Sequence, residues 1–569
     1  MASDQLIRRI REAVIGDDRV LAGPFGARRM TYADDTASGR ALTFVEEFVL
    51  DEVLPWYGNT HTESSDTGRQ TTVLREDARR MIRDAVGGDD GTAVIFTGSG
   101  ATGAIHTMLG VLGLTPPATH RLPGAIPADE RPVVFIGPYE HHSNELPWRE
   151  SDADVVVIGA DDDGRISVAD LESALRRHAR RPLKIGSFSA ASNVTGILSD
   201  THAIAGLLHS HGALSFWDFA AAGPHVDVAV NGLGAADPTT YKDAVFLSPH
   251  KFVGGPGTSG VLVVRRELLR NSVPVVPGGG TVDYVNPEGE HDYVTDPEHR
   301  EEGGTPAIVG GIRAGLVFGL KEAVGVGVIR AREQHFLHRA LTAWRTVPEI
   351  EVLGDTGAER LPIVSFLVRG PSGRFLHHDF VVAVLNDLFG IQVRGGCSCA
   401  GPYGHRLLKI DAERSRRFRG QIRAGYRGIK PGWVRISFSY FLSEAVLDYL
   451  VAAVRLVAVH GWKLLPDYRF DPRTGLWRSR HGSAPPVLRL HQVRYRADGR
   501  MQYPRRDSRA SEEVLRGYLD FARTLFASLG DRVPDPDTGD LPGAFEELRW
   551  FELAAARHGR ITAPGRHLV

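Results

Sequence analysis

Lysine is scarce in this chain, seven in 569 residues, and one of them stands in the stretch FLSPHKFVGGPGTSGVLVVRR, Phe246 to Arg266. The stretch reads as a strand end, a Ser-Pro-His-Lys turn, a glycine run at Gly254, Gly255 and Gly257, and a second apolar strand over Val261–Val264. Glycines admit close backbone approach, so such a turn could lie against a flat ligand with the Lys251 amine beside it. The plainer reading is a surface lysine on a hairpin. Two further residues invite chemistry. Cys397 and Cys399 are the only cysteines, and they share the loop VRGGCSCAGP. A thiol attacks only as its thiolate, and a loop carrying Arg394 with His405 nearby suits a lowered pKa and some mobility. The alternatives are a metal-binding pair or inert thiols; two thiols alone fall short of a usual zinc site.

If Lys251 holds pyridoxal 5'-phosphate as a Schiff base, the cofactor makes demands that other segments meet. Its phosphate needs N–H groups and hydroxyls at a helix N-terminus, and FTGSGATGA offers Gly100, Ala101 and Thr102 at a strand-to-helix turn. Its pyridine nitrogen needs a carboxylate, and Asp218 ends the apolar run LSFWD. The ring face needs a partner such as His141 in PYEHHSN, and the ring oxygen a donor such as Asn193 in ASNVTG; His250 adjoins the lysine. A substrate carboxylate needs a guanidinium, supplied by Arg435 in WVRISFS, with Arg394 as a second. Taken singly, each has a plain alternative: a helix start, a strand-end cap, an exposed histidine, a surface arginine.

These residues need a scaffold. Apolar runs at 93–96, 133–136, 155–158, 185–189 and 214–217 alternate with helical patterns, which predicts an α/β fold with a mostly parallel sheet flanked by helices. In such sheets ligands sit at the carboxyl ends of the strands, where the candidates fall. The expected division is 1–40, an N-terminal helix and lead-in; 41–335, a large cofactor-binding domain; 336–465, a smaller α/β domain with the cysteine loop; and 466–569, an extension of unassigned role. Helices are expected over 42–54, 308–326, 379–389, 443–458, 511–527 and 540–557, and a strand over 391–394. The polar run around His61 is long enough to be a functional loop.

The formal net charge is -2, with 42% hydrophobic and 24% charged residues, an ordinary globular composition with no excess pointing to nucleic acid or membrane. No apolar run of membrane-spanning length stands out, the N-terminus lacks a signal-peptide core, and two loop cysteines exclude a disulfide framework, so a cytoplasmic protein is expected.

The set ATGA, EHHSN, SNVTG, a strand-end Asp, SPHKF followed by GPG, GGTP and VRISF resembles aminotransferase class V, the fold-type I pyridoxal phosphate enzymes, over roughly residues 40–460. Within it the chain is similar to cysteine desulfurases, selenocysteine lyases and the N-terminal domain of molybdenum cofactor sulfurases. The resemblance implies Lys251 as the Schiff-base residue, Asp218 as pyridinium partner, His141 as stacking residue, Arg435 as carboxylate clamp and Cys399 as the persulfide-forming nucleophile; Cys397 stands where the desulfurases usually have another residue, and relay of the sulfur and resolution as a disulfide are both open to it. It implies L-cysteine as substrate, a homodimer in which Thr281 of Gly278–Thr281 reaches the neighbouring phosphate, and a sulfur-acceptor protein. Two positions depart from the family pattern: Ala221 stands where a glutamine is usual, and Gly103 where a glutamate is frequent. A transaminase, epimerase or lyase of the same class on another amino acid, or a sulfur-delivery scaffold using residues 466–569, are the other readings.

Overall fold

The computed structural model describes residues 2–114, 127, 129–482, 488–531 and 541–555. Seven strands build the main sheet: β1 (Thr92–Thr97), β2 (Val133–Ile136), β3 (Asp154–Val157), β4 (Lys184–Ser189), β5 (Leu214–Asp218), β6 (Ala244–Leu247) and β7 (Gly260–Arg265). Their order is β1-β7-β6-β5-β4-β2-β3. Only β7 is antiparallel to its neighbours, β1 and β6. Successive side chains leave opposite faces of a strand. Phe135, Trp217, Val245 and Val263 therefore enter one apolar cluster, while Val134, Phe216, Phe246 and Leu262 enter another. Burial on both faces is why these runs read as continuously hydrophobic. Because six strands point one way, the turns after β1, β2, β4, β5 and β6 open along one edge.

A second sheet of β8 (Ile350–Val352), β9 (Ile363–Val368), β10 (Arg394–Gly396) and β11 (Trp433–Ser437) is antiparallel, in the order β8-β9-β11-β10. The strand expected over 391–394 divides. Ile391–Gln392 pairs in parallel with Thr31–Tyr32, and Arg394 then begins β10, directly opposite Arg435. Residues 1–40 are thus shared out: Ile7 and Ile10 pack with Tyr440 and Phe441, whereas Phe25 and Ala33 join the core beneath the second sheet.

That core continues into the C-terminal extension, where Leu515, Tyr518, Leu525, Phe526, Phe545 and Phe551 pack with Phe380, Leu388 and Leu450. The helices there are shorter than expected, Val514–Ser528 and Gly543–Leu548, and the helix expected over 42–54 is Thr43–Phe48 followed by a π-turn at Val49–Val53. Contrary to the sequence expectation, Glu444–Asp467 is long and apolar enough to cross a membrane by composition, but half of its apolar window is buried inside the fold. It packs against His378–Phe389 and Val514–Ser528, as a core helix does.

Candidate active site

The open edge of the main sheet and the β10–β11 edge of the second sheet face each other across a cleft of about 240 Å³. Gly100, Ala101, Thr102, His141, Asn193 and Asp218 line it from the large sheet, with His250 and Lys251 from the connection between β6 and β7. Arg394, Arg435, Ser398 and Cys399 line it from the other side. Two of the sequence candidates stand elsewhere. Cys397 is half-buried against the apolar cluster beneath the loop, and Thr281 is buried with its Oγ1 donating to Gly278 O at 2.7 Å. His61 lies with Gly280 in a separate hollow.

Burial dominates the electrostatics. The Lys251 amine is pushed down to about 8, chiefly by desolvation, against the opposing pull of Asp218. Burial raises the Asp218 carboxyl, tempered by the Ala220 N–H that it accepts at 2.7 Å and by Lys251. His141 falls to about 4, through burial and then the Lys251 charge, so its ring is neutral at physiological pH. Its Nδ1 accepts the Ser143 N–H at 3.1 Å, which leaves the ring proton on Nε2. His250 is likewise lowered to about 4 by burial and Lys251.

The arginine pair explains a residue that sequence reasoning missed. Like charges directly opposite on neighbouring strands repel. Asp34 stands between them, accepting from Arg435 Nη2 at 2.9 Å and Arg394 Nε at 3.0 Å. The Thr31–Tyr32 pairing and the Ser437 N–H to Ala33 O bond at 2.9 Å place it there. Arg435 also donates to Asn193 O at 3.1 Å.

Several expectations change. Gly254, Gly255 and Gly257 do not line the cleft. They shape the turn instead: a Cβ on Gly255 would stand 2.1 Å from Pro249 O. One Asn193 N–H is committed to Ser398 O at 2.8 Å, and the Ala101 N–H to Ser248 Oγ at 2.9 Å. His405 bonds Gly401 O and Ser415 and is not a cleft residue. Nor is the cysteine loop free. His142 N–H donates to Cys399 O at 2.8 Å, and Gly401 N–H to His142 Nε2 at 3.0 Å. Ser398 and Cys399 hold φ of 51° and 55°, costing about 1–2 kcal/mol each for residues with a Cβ.

The donor set fits pyridoxal phosphate. A neutral aromatic ring, a buried carboxylate and a half-buried amine converge beside a helix N-terminus, and Asn193 Oδ1 and Arg435 Nε are buried without a protein partner. Ser99, Thr102 and Ser248 bring hydroxyls to the same helix N-terminus, with Thr102 Oγ1 paired to Ser143 Oγ at 2.7 Å. Gly100 has φ 54°, and a Cβ there would meet Ser248 Oγ at 2.7 Å. Gly100→Ala is therefore expected to weaken cofactor binding about tenfold, corresponding to 1–2 kcal/mol of left-handed backbone strain, as measured by titrating apoprotein with pyridoxal phosphate. Elsewhere among the described residues, His377, His378 and Asp379 converge, but the His377 nitrogens already engage Gly428 O and the Asp379 N–H.

A probable cysteine desulfurase of Halobacterium salinarum is 27% identical over 448 residues, 78% of this chain and 95% of that protein. One from Halalkalibacterium halodurans is 29% identical over 378 residues, 66% of this chain and 84% of that one. Among solved structures, the apo cysteine desulfurase of Thermococcus onnurineus NA1 superposes with a TM-score of 0.61 at 24% identity, covering 76% of this chain and 95% of that one. The fold is thus the fold-type I arrangement. Residues 31–450, from the strand that places Asp34 to the helix behind Arg435, match one family throughout, and the chain belongs to the aminotransferase class-V family.

Proposed function

We propose that the protein is a pyridoxal phosphate-dependent cysteine desulfurase that converts L-cysteine to L-alanine and retains the sulfur as a persulfide on Cys399. The observation carrying this reading is that Cys399, exposed and on a clamped turn, lines the same cleft as Lys251, Asp218 and the arginine pair. Bound there, pyridoxal phosphate supplies an aldehyde that captures an amine and a ring that accepts the electron pair from Cα.

The protein's own groups do the rest. Asp218 keeps a proton on the ring nitrogen, and neutral His141 covers the ring face. Arg435, whose Nε is buried without a protein partner, holds the substrate carboxylate together with Arg394, both oriented in the cleft by Asp34. With its amine near 8, Lys251 is partly unprotonated at neutral pH and takes the Cα proton. The Cys399 thiolate attacks the substrate sulfur: an S–S bond forms, the substrate C–S bond breaks, and a proton goes to carbon. L-Cysteine plus a thiol thereby gives L-alanine plus a persulfide.

Homologues named probable cysteine desulfurases support this reading. It includes a homodimer, in which Thr281, lying outside its own cleft, serves the other copy, a reducing cytoplasm to keep the nucleophile free, and an acceptor protein for the sulfur. The test is alanine and sulfide measured from L-cysteine with a thiol reductant. Equal amounts are expected from the native protein, and Cys399→Ala should lose about 10²-fold or more of both. Full-rate turnover of an amino acid by that variant would replace desulfuration with another class-V reaction, a reading favoured by Ala221, which lines the cleft.

A further inference from the structure

We propose that Cys397 is a resolving cysteine, which releases the sulfur of the Cys399 persulfide as hydrogen sulfide and closes a Cys397–Cys399 disulfide. The inference rests on the desulfurase reading and gives the sulfur an exit that needs no acceptor protein. It begins with the turn. Ala400 N–H donates to Cys397 O at 3.0 Å, and the two residues between, Ser398 and Cys399, both have positive φ, the pattern of a type I′ turn. Consecutive Cα atoms lie ~3.8 Å apart, so positions i and i+2 of a closed turn fall within the ~4.4–6.8 Å that a disulfide spans.

Location divides the roles. Cys399 is exposed and lines the cleft, where it meets substrate sulfur; Cys397 is half-buried against the apolar cluster and outside the cleft lining. Cys397 is therefore kept from the substrate, and the turn sets its backbone within disulfide-spanning distance of Cys399. The bonds from His142 N–H to Cys399 O and from Asn193 to Ser398 O hold the turn closed, which keeps the two backbones at that distance. The chain has no other cysteine to compete.

In the step, the Cys397 thiolate attacks Cys399 Sγ. The bond from Sγ to the outer sulfur breaks, and its electron pair leaves as hydrosulfide, which takes up the proton Cys397 gave to solvent. The outer sulfur is reduced to sulfide while the Cys397 thiol is oxidised to the disulfide level that Cys399 Sγ already holds. A small-molecule or protein dithiol then reduces that disulfide, becoming oxidised itself, and restores the enzyme.

The test gives holoenzyme one equivalent of L-cysteine without reductant, then follows sulfide, alanine and the intact and peptide masses over time. The native protein is expected to release one sulfide per chain and to accumulate the Cys397–Cys399 disulfide. In Cys397→Ser the Cys399 persulfide should persist about tenfold longer, because the intramolecular thiol is gone. Equal persulfide lifetimes in the two proteins, with no disulfide in the native one, would overturn the resolving role while leaving desulfuration intact. If the native protein forms no alanine, the desulfurase reading falls and this inference falls with it.

Discussion

Lys251→Ala is expected to lower alanine formation from L-cysteine by about 10⁴-fold, the upper range for loss of a positioned base. The half-buried amine lines the cleft itself, and His141 and His250, both lowered to about 4, would make poor bases for a Cα–H at neutral pH. Retention of more than about one-hundredth of the rate would mean that another group takes the proton. The same residue makes a stability prediction of opposite sign. Its pKa in the folded chain is about 8, below the ordinary lysine value of 10.5. Between those values the unfolded chain binds more protons, so stability rises with pH across that window, and below about pH 8 the cost of burying the ammonium is felt in full. Apoprotein carrying Lys251→Met should therefore be more stable than native apoprotein at pH 7, by at most about 3 kcal/mol, since Asp218 loses a favourable neighbour. The difference should close as pH approaches 10.5. Denaturant titrations of both apoproteins at pH 7 and pH 10 measure it; a native apoprotein that is the more stable at pH 7 would show that the Asp218 pairing outweighs the burial cost.

Lys251, Asp218, His141 and Arg435 were legible because each follows or occupies a short apolar strand, and strand-end chemistry in a parallel sheet is a local signal. Asp34 was not. It meets Arg394 and Arg435 across 360 and 401 residues of sequence, and its role follows from the register that sets the two arginines opposite each other. The glycines after Lys251 were misread for a different reason: glycine needed for a tight turn and glycine needed beside a ligand look alike in sequence. The cysteine loop looked mobile because it is short, polar and rich in glycine, yet its anchors on His142 and Asn193 come from turns more than 200 residues away. Tyr468, Phe470 and Trp477 stand singly among the polar residues at the start of the extension, without a helical or strand period, so nothing local marks them as core. Their burial is decided by ring contacts with Phe380, His377 and Phe551, which no local window contains.

Those contacts lead to a large expected effect far from the cleft. Were residues 466–569 only a docking arm, cutting them away would leave alanine formation untouched. The structure predicts otherwise. Leu515, Tyr518, Leu525, Phe526, Phe545, Leu548 and Phe551 are all nearly inaccessible within one cluster shared with the second sheet's helices. At about 1.5–3 kcal/mol per buried side chain, their loss removes more than about 10 kcal/mol, comparable with the whole stability of a typical domain. Truncation after Asp467 should therefore unfold the unit that carries Arg394, Arg435 and Cys399, and activity should vanish with it. Because a truncated chain fails for many reasons, a single substitution sharpens the point. Phe551, fully buried and ringed by His377, Phe470, Trp477 and Trp550, should cost about 3–5 kcal/mol when changed to alanine. Chemical denaturation of Phe551→Ala, with absorbance of the bound cofactor recorded alongside, should show the second sheet losing structure at lower denaturant than the native protein. A loss under about 1 kcal/mol would mean the extension lies against the molecule without completing its core, and would restore the docking-arm reading.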